Sequence, residues 1–249
     1  MKKRLRVFAG PNGSGKSTIT DIVKSYCDLG VYVNADEIKK KLDLDKKIDF
    51  AEYKISIDEK AFLKAFSLSS IVKKSSNKDL IEAFYISENS LIIKEGKCVD
   101  GYFVSFIADY LRNELLLNGE KFSCETVMSH SSKIDFMKKA KDAGYKVYLY
   151  FVALRNPELN VLRVQNRVAE GGHDVPKEKI IKRYYESLEQ LYVAMKVVDS
   201  AFIFDNSVGQ HKMIAQLIDK KLTIMVDYYP KWFEDYYLNK ITERNQSEL

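Results

Sequence analysis

The chain has 249 residues, of which 46% are hydrophobic and 12% are aromatic. These proportions are typical of an ordered globular protein, and they exclude a disordered or low-complexity chain. The 40 basic and 35 acidic residues leave a net charge of +5, and charges so evenly mixed in sign argue against a nucleic-acid-binding protein. The small positive surplus fits an enzyme for phosphorylated, anionic substrates, because positive potential raises their local concentration.

The cysteines and the amino terminus favour a cytoplasmic protein. Cys27, Cys98 and Cys124 are odd in number and form no short-spaced pair, which is typical of reduced thiols. The basic amino terminus leads straight into a short apolar strand and lacks the long apolar region of a signal peptide. No apolar run approaches the roughly 20 residues that a membrane-spanning helix needs. We therefore expect a cytoplasmic protein that does not cross a membrane.

Short apolar runs alternate with helical patterns along most of the chain. The predicted strands cover residues 5–9, 29–33, 121–126, 146–153 and 201–204. The predicted helices begin after Lys16 and near Glu37, and cover residues 102–117, 133–143, 157–169 and 177–198. Strands that alternate with helices predict a parallel sheet with right-handed crossovers. The fold class is therefore α/β, with three layers in α/β/α order, a mostly parallel five-stranded sheet and a single domain over residues 1–249.

Two segments depart from this alternation. Residues 43–100 contain charged helical stretches, including a predicted helix at 58–68, and they read as a helical accessory insertion. Residues 208–249 read as a carboxy-terminal extension. It begins with a small hairpin at 213–226 and continues as a helix with Trp232, Phe233, Tyr236 and Tyr237 at helical spacing. These aromatic side chains are expected to pack the extension onto the body of the domain, although an exposed stripe would also suit a partner.

A glycine-rich segment between the first strand and the first helix matches the Walker A pattern, with the residues Gly10, Pro11, Asn12, Gly13, Ser14, Gly15, Lys16, Ser17 and Thr18. Glycines in such a loop let backbone N–H groups point at the phosphate oxygens of ATP or GTP, and the helix adds its positive end. Lys16 carries charge to the β and γ phosphates, and the Ser17 hydroxyl is a ligand for Mg²⁺. The segment predicts a P-loop NTPase fold.

Two carboxylates follow predicted strands and are expected at the ligand crevice of the sheet. Asp36 follows the second strand, and Glu125 ends the third. In a small-molecule kinase, one carboxylate takes the proton of the acceptor hydroxyl and another orients the acceptor or the metal. The alternative for each is a helix-capping or surface carboxylate.

Arg163 and Arg167 lie four residues apart, and thus on one helical face, just before a Gly-Gly loop at residues 171–176. A guanidinium stays charged and its planar fork meets two phosphate oxygens together, so the pair is a candidate to close over a transferring phosphoryl group. The alternative is a solvated helix face. His173 in that loop is expected to form structural hydrogen bonds and is not predicted to be a base.

Several of these segments together resemble the zeta-toxin family. They are the glycine-rich loop, Asn34 to Ile38, Phe122 to Thr126, Arg163 to Arg167, Gly171 to Pro176 and Phe204 to Ser207. The likeness extends over most of residues 3–207, apart from the insertion. Proteins of this family are P-loop kinases, and the founding toxins phosphorylate UDP-N-acetylglucosamine on a sugar hydroxyl.

The resemblance implies a role for each candidate residue. Lys16 and Ser17 bind ATP and Mg²⁺, and Asp36 is the general base. Glu125 and Thr126 contact the acceptor, and Arg163 with Arg167 steadies the phosphates. The family places a basic residue shortly after the third-strand glutamate, whereas here residues 128–131 read Met-Ser-His-Ser. The acceptor therefore stays open between a nucleotide sugar and a related metabolite, and the family also implies an antitoxin protein as a partner.

Other functions compatible with the P-loop stay open at this point. They are a non-enzymatic ATP-binding switch, an inactive relative that acts through a toxin-antitoxin partner, and a polynucleotide kinase. A polynucleotide kinase is expected to have a basic groove, for which the mixed charges give no support. An ATP-dependent small-molecule kinase is the function that the residues favour.

Overall fold

The computed structural model describes residues 3–172 and 174–242. The chain forms two compact units. The terminal unit, made from the two ends of the chain, comprises the residues up to Leu29 and those from Glu125 onward. The middle unit is Gly30–Cys124. The predicted insertion at 43–100 lies within the middle unit, and the predicted carboxy-terminal extension lies within the terminal unit.

Ten strands are described, and the five that the sequence predicts are among them. In chain order they are β1 Arg4–Ala9, β2 Val31–Val33, β3 Lys47–Asp49, β4 Phe84–Ser87, β5 Ser90–Ile93, β6 Phe122–Thr126, β7 Lys146–Ala153, β8 Ser200–Asp205, β9 Lys212–Ile218 and β10 Lys221–Ile224. The pairs β1/β7, β7/β8 and β2/β6 are all parallel, as predicted from the alternation of strands and helices.

The helices fall between these strands. In chain order they are α1 Lys16–Tyr26, α2 Ala35–Leu44, α3 Glu59–Leu68, α4 Gly101–Leu117, α5 Ser132–Asp142, α6 Pro157–Ala169, α7 Lys177–Val197 and the short α8 Lys231–Phe233. A π-helical turn at Glu234–Leu238 follows α8. No helix in the described part of the chain has the length and apolar character needed to cross a bilayer.

The sheet of the terminal unit runs in the order β10-β9-β8-β7-β1. Strand β7, between β8 and β1, has side chains that are buried along most of its length, which is typical of a parallel strand covered on both faces. The predicted hairpin is present as β9 and β10, which pair antiparallel. It is also part of the sheet, because β9 pairs antiparallel with β8.

Helices cover the sheet of the terminal unit from both sides. On one face α1 packs against Phe8, Val152 and Phe204. On the other face α5 packs on β7 and contacts α7. This is the predicted α/β/α arrangement, and it places the amino end of α1 directly after the carboxyl end of β1.

Three of the four aromatic residues predicted to pack the carboxy-terminal segment onto the body of the domain are buried, and Tyr236 is partly buried. Trp232, Phe233 and Tyr237 are all buried. The indole Nε1 of Trp232 donates to Asp205 Oδ2 at 2.8 Å, and its ring lies 6.2 Å from that of Phe151 in β7. The buried indole N–H thus has the partner that a desolvated donor requires.

The middle unit contains the β2/β6 pair, the helices α2, α3 and α4, and a second sheet. That sheet has the order β3-β5-β4 and is antiparallel throughout. The sequence analysis expected a helical insertion and did not predict these strands, which are only three or four residues long. A tight turn at Glu88 and Asn89, both with positive φ, connects β4 to β5.

Candidate active site

The loop between β1 and α1 has the backbone conformation of a phosphate-binding loop. Gly10, Gly13 and Gly15 all have positive φ, which strains any residue with a Cβ. A Cβ on Gly10 would also lie 2.0 Å from the carbonyl oxygen of Val152. Glycine is therefore required at this position both by the turn and by the close approach of β7.

Lys16, the first residue of α1, lies over the loop. Its Nζ donates to the carbonyl oxygens of Gly10 and Pro11, both at 3.0 Å. The ammonium charge is thereby held beside the loop and the positive end of α1.

Glu125 at the end of β6 lies against the first turns of α1. Its Oε2 accepts from Ser17 Oγ at 3.5 Å and its Oε1 from Thr20 Oγ1 at 3.1 Å. The site thus combines a serine hydroxyl and a carboxylate, which are hard oxygen ligands that suit Mg²⁺. Within residues 3–172 and 174–242, no three His, Cys, Asp or Glu side chains cluster as a metal site. Two protein ligands are nevertheless typical of Mg²⁺ sites, where phosphate and water fill the other positions.

Thr126 follows Glu125 but has a different environment. Its Oγ1 accepts from the backbone N–H of Met128 at 3.1 Å, and Met128 has a positive φ of 55°. The Thr126 hydroxyl therefore stabilises the turn after β6. The structure brings Glu125 to the glycine-rich loop, and it places Thr126 in the adjoining turn.

Three carbonyl oxygens of the glycine-rich loop accept hydrogen bonds from side chains far away in the sequence. Asn160 Nδ2 donates to Asn12 O at 2.6 Å, and Asn206 Nδ2 donates to Ser14 O at 2.9 Å. His211 Nε2 lies 3.2 Å from Gly15 O.

The sequence pattern predicts no role for Asn160, Asn206 or His211. One signal was present, because Asn206 directly follows a strand at its carboxyl end, where ligand-facing polar residues gather in α/β sheets. Asn160 and His211 gave no comparable signal, since a polar residue within a helix or a loop is usually solvated.

His211 is half-buried and its charge state is shifted. Burial lowers the pKa of its imidazole, the nearby Arg163 guanidinium also lowers it, and the hydrogen bond with Gly15 O acts in the opposite direction. The net effect is a pKa below the usual range, so the ring is neutral near pH 7 and its contact with Gly15 O requires the proton on Nε2.

The structure places the two arginines of α6 differently. Arg163 NH2 donates to Asn206 O at 2.8 Å, and a Cβ on Gly13 would lie 3.5 Å from Arg163 Cβ. Arg163 is therefore beside the glycine-rich loop. Arg167 lies one turn later, where its carbonyl oxygen accepts from Gly172 N at 2.8 Å. His173 lies in the one-residue gap between the described ranges.

Asp36 belongs to the middle unit, in the first turn of α2. Asn34 caps that helix, because its Oδ1 accepts from the backbone N–H of Asp36 at 2.8 Å. The amide of Asn34 also donates to Tyr32 Oη at 3.1 Å. The Asp36 side chain is exposed, so the cap fixes its backbone and leaves its carboxylate at the surface of the unit.

Comparison with known proteins identifies the family. The sequence profile of the family described as Zeta toxin matches residues 99–223, about half of the chain. The chain belongs to the zeta toxin family. The members of this family are P-loop kinases. The glycine-rich loop lies outside the matched residues, and its sequence is the general pattern of P-loop proteins.

Solved structures share the fold. A chain of the complex AvrRxo1-ORF1:AvrRxo1-ORF2 with sulphate ions superposes with a TM-score of 0.58 at 15% identity, over 94% of this chain and 63% of that one. The ATP-bound form of this complex gives a TM-score of 0.56 at 16% identity, over 90% and 61%. The PezAT toxin-antitoxin system of Streptococcus pneumoniae gives 0.52 at 14% identity, over 99% and 87%.

A relative in sequence is an uncharacterized protein of Haemophilus influenzae, which is 35% identical over 63 residues. The match covers 25% of this chain and 45% of that protein. The chain thus spans less than half of that relative and less than two thirds of the AvrRxo1 chain.

Proposed function

We propose that the chain is an ATP-dependent kinase that transfers the γ-phosphate to a hydroxyl of a nucleotide sugar such as UDP-N-acetylglucosamine, or of a related metabolite. The observation that carries the proposal is the joint placement of Lys16, Ser17 and Glu125. A phosphate-binding loop with its lysine, a hydroxyl ligand and a carboxylate are the parts that Mg·ATP requires.

Ser17 and Glu125 are the residues that would hold Mg²⁺. The ion supplies charge neutralisation on the β and γ phosphates when it is bound. The contacts of Glu125 with Ser17 and Thr20 favour this role over the contact with the acceptor that the family resemblance implies. We propose that Thr126 contacts the acceptor. It lies beside Glu125 at the carboxyl end of a strand, where ligands bind in α/β sheets.

Asp36 is the proposed general base. The proton of the acceptor hydroxyl passes to the Asp36 carboxylate as the acceptor oxygen bonds to the γ phosphorus, and the bond from that phosphorus to the bridging oxygen breaks to release ADP. The Asn34 cap supports this role, because it holds the Asp36 backbone while the carboxylate stays exposed.

Arg163 and Arg167 are proposed to stabilise charge on the transferring phosphoryl group. The contact of Arg163 with the Asn206 carbonyl supports its place at the nucleotide. For Arg167 the support is its spacing, because residues four apart on a helix lie on the same face.

The acceptor class and the partner rest on the family. The founding zeta toxins phosphorylate a nucleotide sugar, and the PezAT system named above is a toxin-antitoxin system. We therefore propose a nucleotide-sugar-like acceptor, an antitoxin protein as a partner and a cytoplasmic location. A net charge of +5 agrees with two anionic substrates.

The test incubates the protein with Mg²⁺, γ-labelled ATP and a panel of nucleotide sugars, nucleosides and oligonucleotides. We expect label on a nucleotide sugar. Lys16→Ala should abolish tight ATP binding and transfer while circular dichroism stays unchanged, because the Lys16 ammonium contacts the loop carbonyls of Gly10 and Pro11 and not the core. Lys24→Ala is the matched control, since Lys24 is an exposed lysine in the last turn of the same helix.

The other outcomes would overturn the proposal. ATP hydrolysis without transfer to any acceptor would indicate a switch. Transfer to oligonucleotide ends would indicate a polynucleotide kinase. Unchanged ATP affinity in Lys16→Ala would remove the glycine-rich loop from the function altogether.

A further inference from the structure

The backbone of the glycine-rich loop has two sides with different requirements. The N–H groups of such a loop are the groups that bind phosphate, whereas its carbonyl oxygens need donors from the protein itself. A buried carbonyl without a partner is costly, and nearly all such groups in folded proteins are paired. The carbonyls of Gly10 and Pro11 accept from Lys16. Those of Asn12, Ser14 and Gly15 accept from side chains of α6 and of the β8–β9 connection, and at Gly15 this bond adds to the helical one from Ile19 N at 3.3 Å.

We propose that Asn160, Asn206 and His211 form a carbonyl clamp that holds the glycine-rich loop in its phosphate-binding conformation, with His211 as a positioning residue for the nucleotide. This inference deepens the proposed function and rests on it. None of the three side chains needs to touch the nucleotide, because each acts through the carbonyl oxygen that it binds.

Two side chains of the carbonyl clamp pack directly against Gly15. A Cβ on Gly15 would lie 2.4 Å from Asn206 Nδ2 and 2.6 Å from His211 Nε2. Both side chains therefore occupy the space beside the last glycine before Lys16. A change in either donor acts directly on the residue that leads into α1.

The β8–β9 connection, which carries Asn206 and His211, is itself bonded to β7 and α6. The backbone N–H of Asn206 donates to Ala153 O at 3.0 Å, at the end of β7. The Asn206 carbonyl accepts from Arg163 NH2 at 2.8 Å and from Gly209 N at 3.3 Å. These bonds restrict the position of Asn206 and, through it, the conformation of the glycine-rich loop. Without them the glycines would allow that loop many conformations.

His211 offers the sharpest test, because its donor can be removed and then restored. In His211→Ala both the donor and the ring are lost. His211→Phe keeps a ring of similar size without a donor, and His211→Gln restores an amide N–H at similar reach. Gln210→Ala is the control, since Gln210 is the exposed neighbour of His211.

Two measurements are made on the full chain. Hydrogen exchange of peptides from residues 10–18 without nucleotide reports the conformation of the loop, and titration with Mg·ATP reports affinity. In His211→Ala and His211→Phe we expect exchange to become about tenfold faster and Mg·ATP binding to weaken about tenfold, as for the loss of one hydrogen bond. The KM for ATP should rise by a similar factor with little change in kcat, because the loop binds the ground state and the transition state alike. His211→Gln should recover most of both effects.

Each contrary result has its own meaning. Unchanged loop exchange in His211→Phe overturns the clamp, whatever happens to affinity. Faster exchange with unchanged Mg·ATP affinity also overturns it, because His211 would then be a structural residue without influence on the nucleotide. If the wild-type chain itself does not bind Mg·ATP, the proposed function fails and the positioning role fails with it. If His211→Ala does not fold, the comparison of His211→Phe with His211→Gln decides the question.

Discussion

The glycine-rich loop and the aromatic core of the middle unit are held by different kinds of interaction. The loop is held by single hydrogen bonds from residues 148 to 196 positions away in the sequence. In the aromatic core the fully buried ring of Phe62 contacts four other rings, with centroid distances of 6.1 Å to Phe50, 5.9 Å to Phe84, 5.4 Å to Phe106 and 4.9 Å to Tyr110.

The two kinds of interaction predict different effects of mutation on ligand binding and on stability. A hydrogen bond depends on direction, so a residue at the loop can be exchanged only for one that presents a donor or a charge at the same place. Burial of aromatic area is much less directional and depends on volume and fit. Changes at the loop should therefore alter ligand binding with little effect on folding, and changes in the aromatic core should do the reverse.

The largest effect is expected for Asp36, which lies in the middle unit but outside its aromatic core. Asp36→Asn keeps the size of the side chain but cannot accept a proton near neutral pH. We expect phosphate transfer to fall by about two to four orders of magnitude, the usual contribution of a general base. ATP affinity and the free energy of unfolding should stay unchanged. Transfer rate, ATP titration and urea unfolding measure the three quantities.

Asp43→Asn is the matched control for this prediction. Asp43 is an exposed aspartate near the other end of α2, in an i,i+4 pair with Lys39, and such pairs contribute little. Full turnover in Asp36→Asn would show that Asp36 is a surface carboxylate in the first turn of α2 and not the base.

Phe62→Ala should have the next largest effect, and it should act on stability. Truncation of a buried phenylalanine to alanine typically costs about 3–5 kcal/mol. We expect a loss of that size in the free energy of unfolding, measured in urea, with Mg·ATP affinity unchanged under conditions where the variant is folded. Phe62→Leu should lose much less. A parallel loss of ATP affinity in the folded variant would contradict the separation of the two regions.

The parts of the fold that the sequence predicts are those with a local pattern. The five strands of the predicted sheet, the hairpin and the aromatic tail all have short, repetitive signals, and the glycine-rich loop has a nearly complete motif. The β3-β5-β4 sheet has no such signal. Its strands are too short for alternation to stand out, and the chain around them is rich in charge.

The candidate site divides in the same way. The sequence indicates Lys16 and Ser17 because both belong to one contiguous motif. The contact of Glu125 with Ser17 joins residues 108 positions apart in the sequence. The contacts of the carbonyl clamp join residues that are even further apart in the sequence. Such contacts depend on how strands and helices meet in space, which no local pattern encodes.

The two arginines of α6 give the smallest and most discriminating effect. The guanidinium of Arg163 is held by the Asn206 carbonyl, so it needs little ordering before it meets a phosphate, whereas Arg167 lies one turn further along the helix. We expect Arg163→Ala to lower kcat about tenfold to hundredfold, in line with a hydrogen bond to a charged group, and to weaken ATP binding less. Arg167→Ala should also lower kcat, but by a smaller factor.

Steady-state kinetics and ATP titration measure both variants. Lys182→Ala is the control, since Lys182 is an exposed cation in a surface ion pair. Equal turnover of both arginine variants and the wild type would place the pair on a solvated helix face. A larger loss of kcat in Arg167→Ala than in Arg163→Ala would instead show that Arg167 contacts the phosphoryl group and that Arg163 only stabilises the loop.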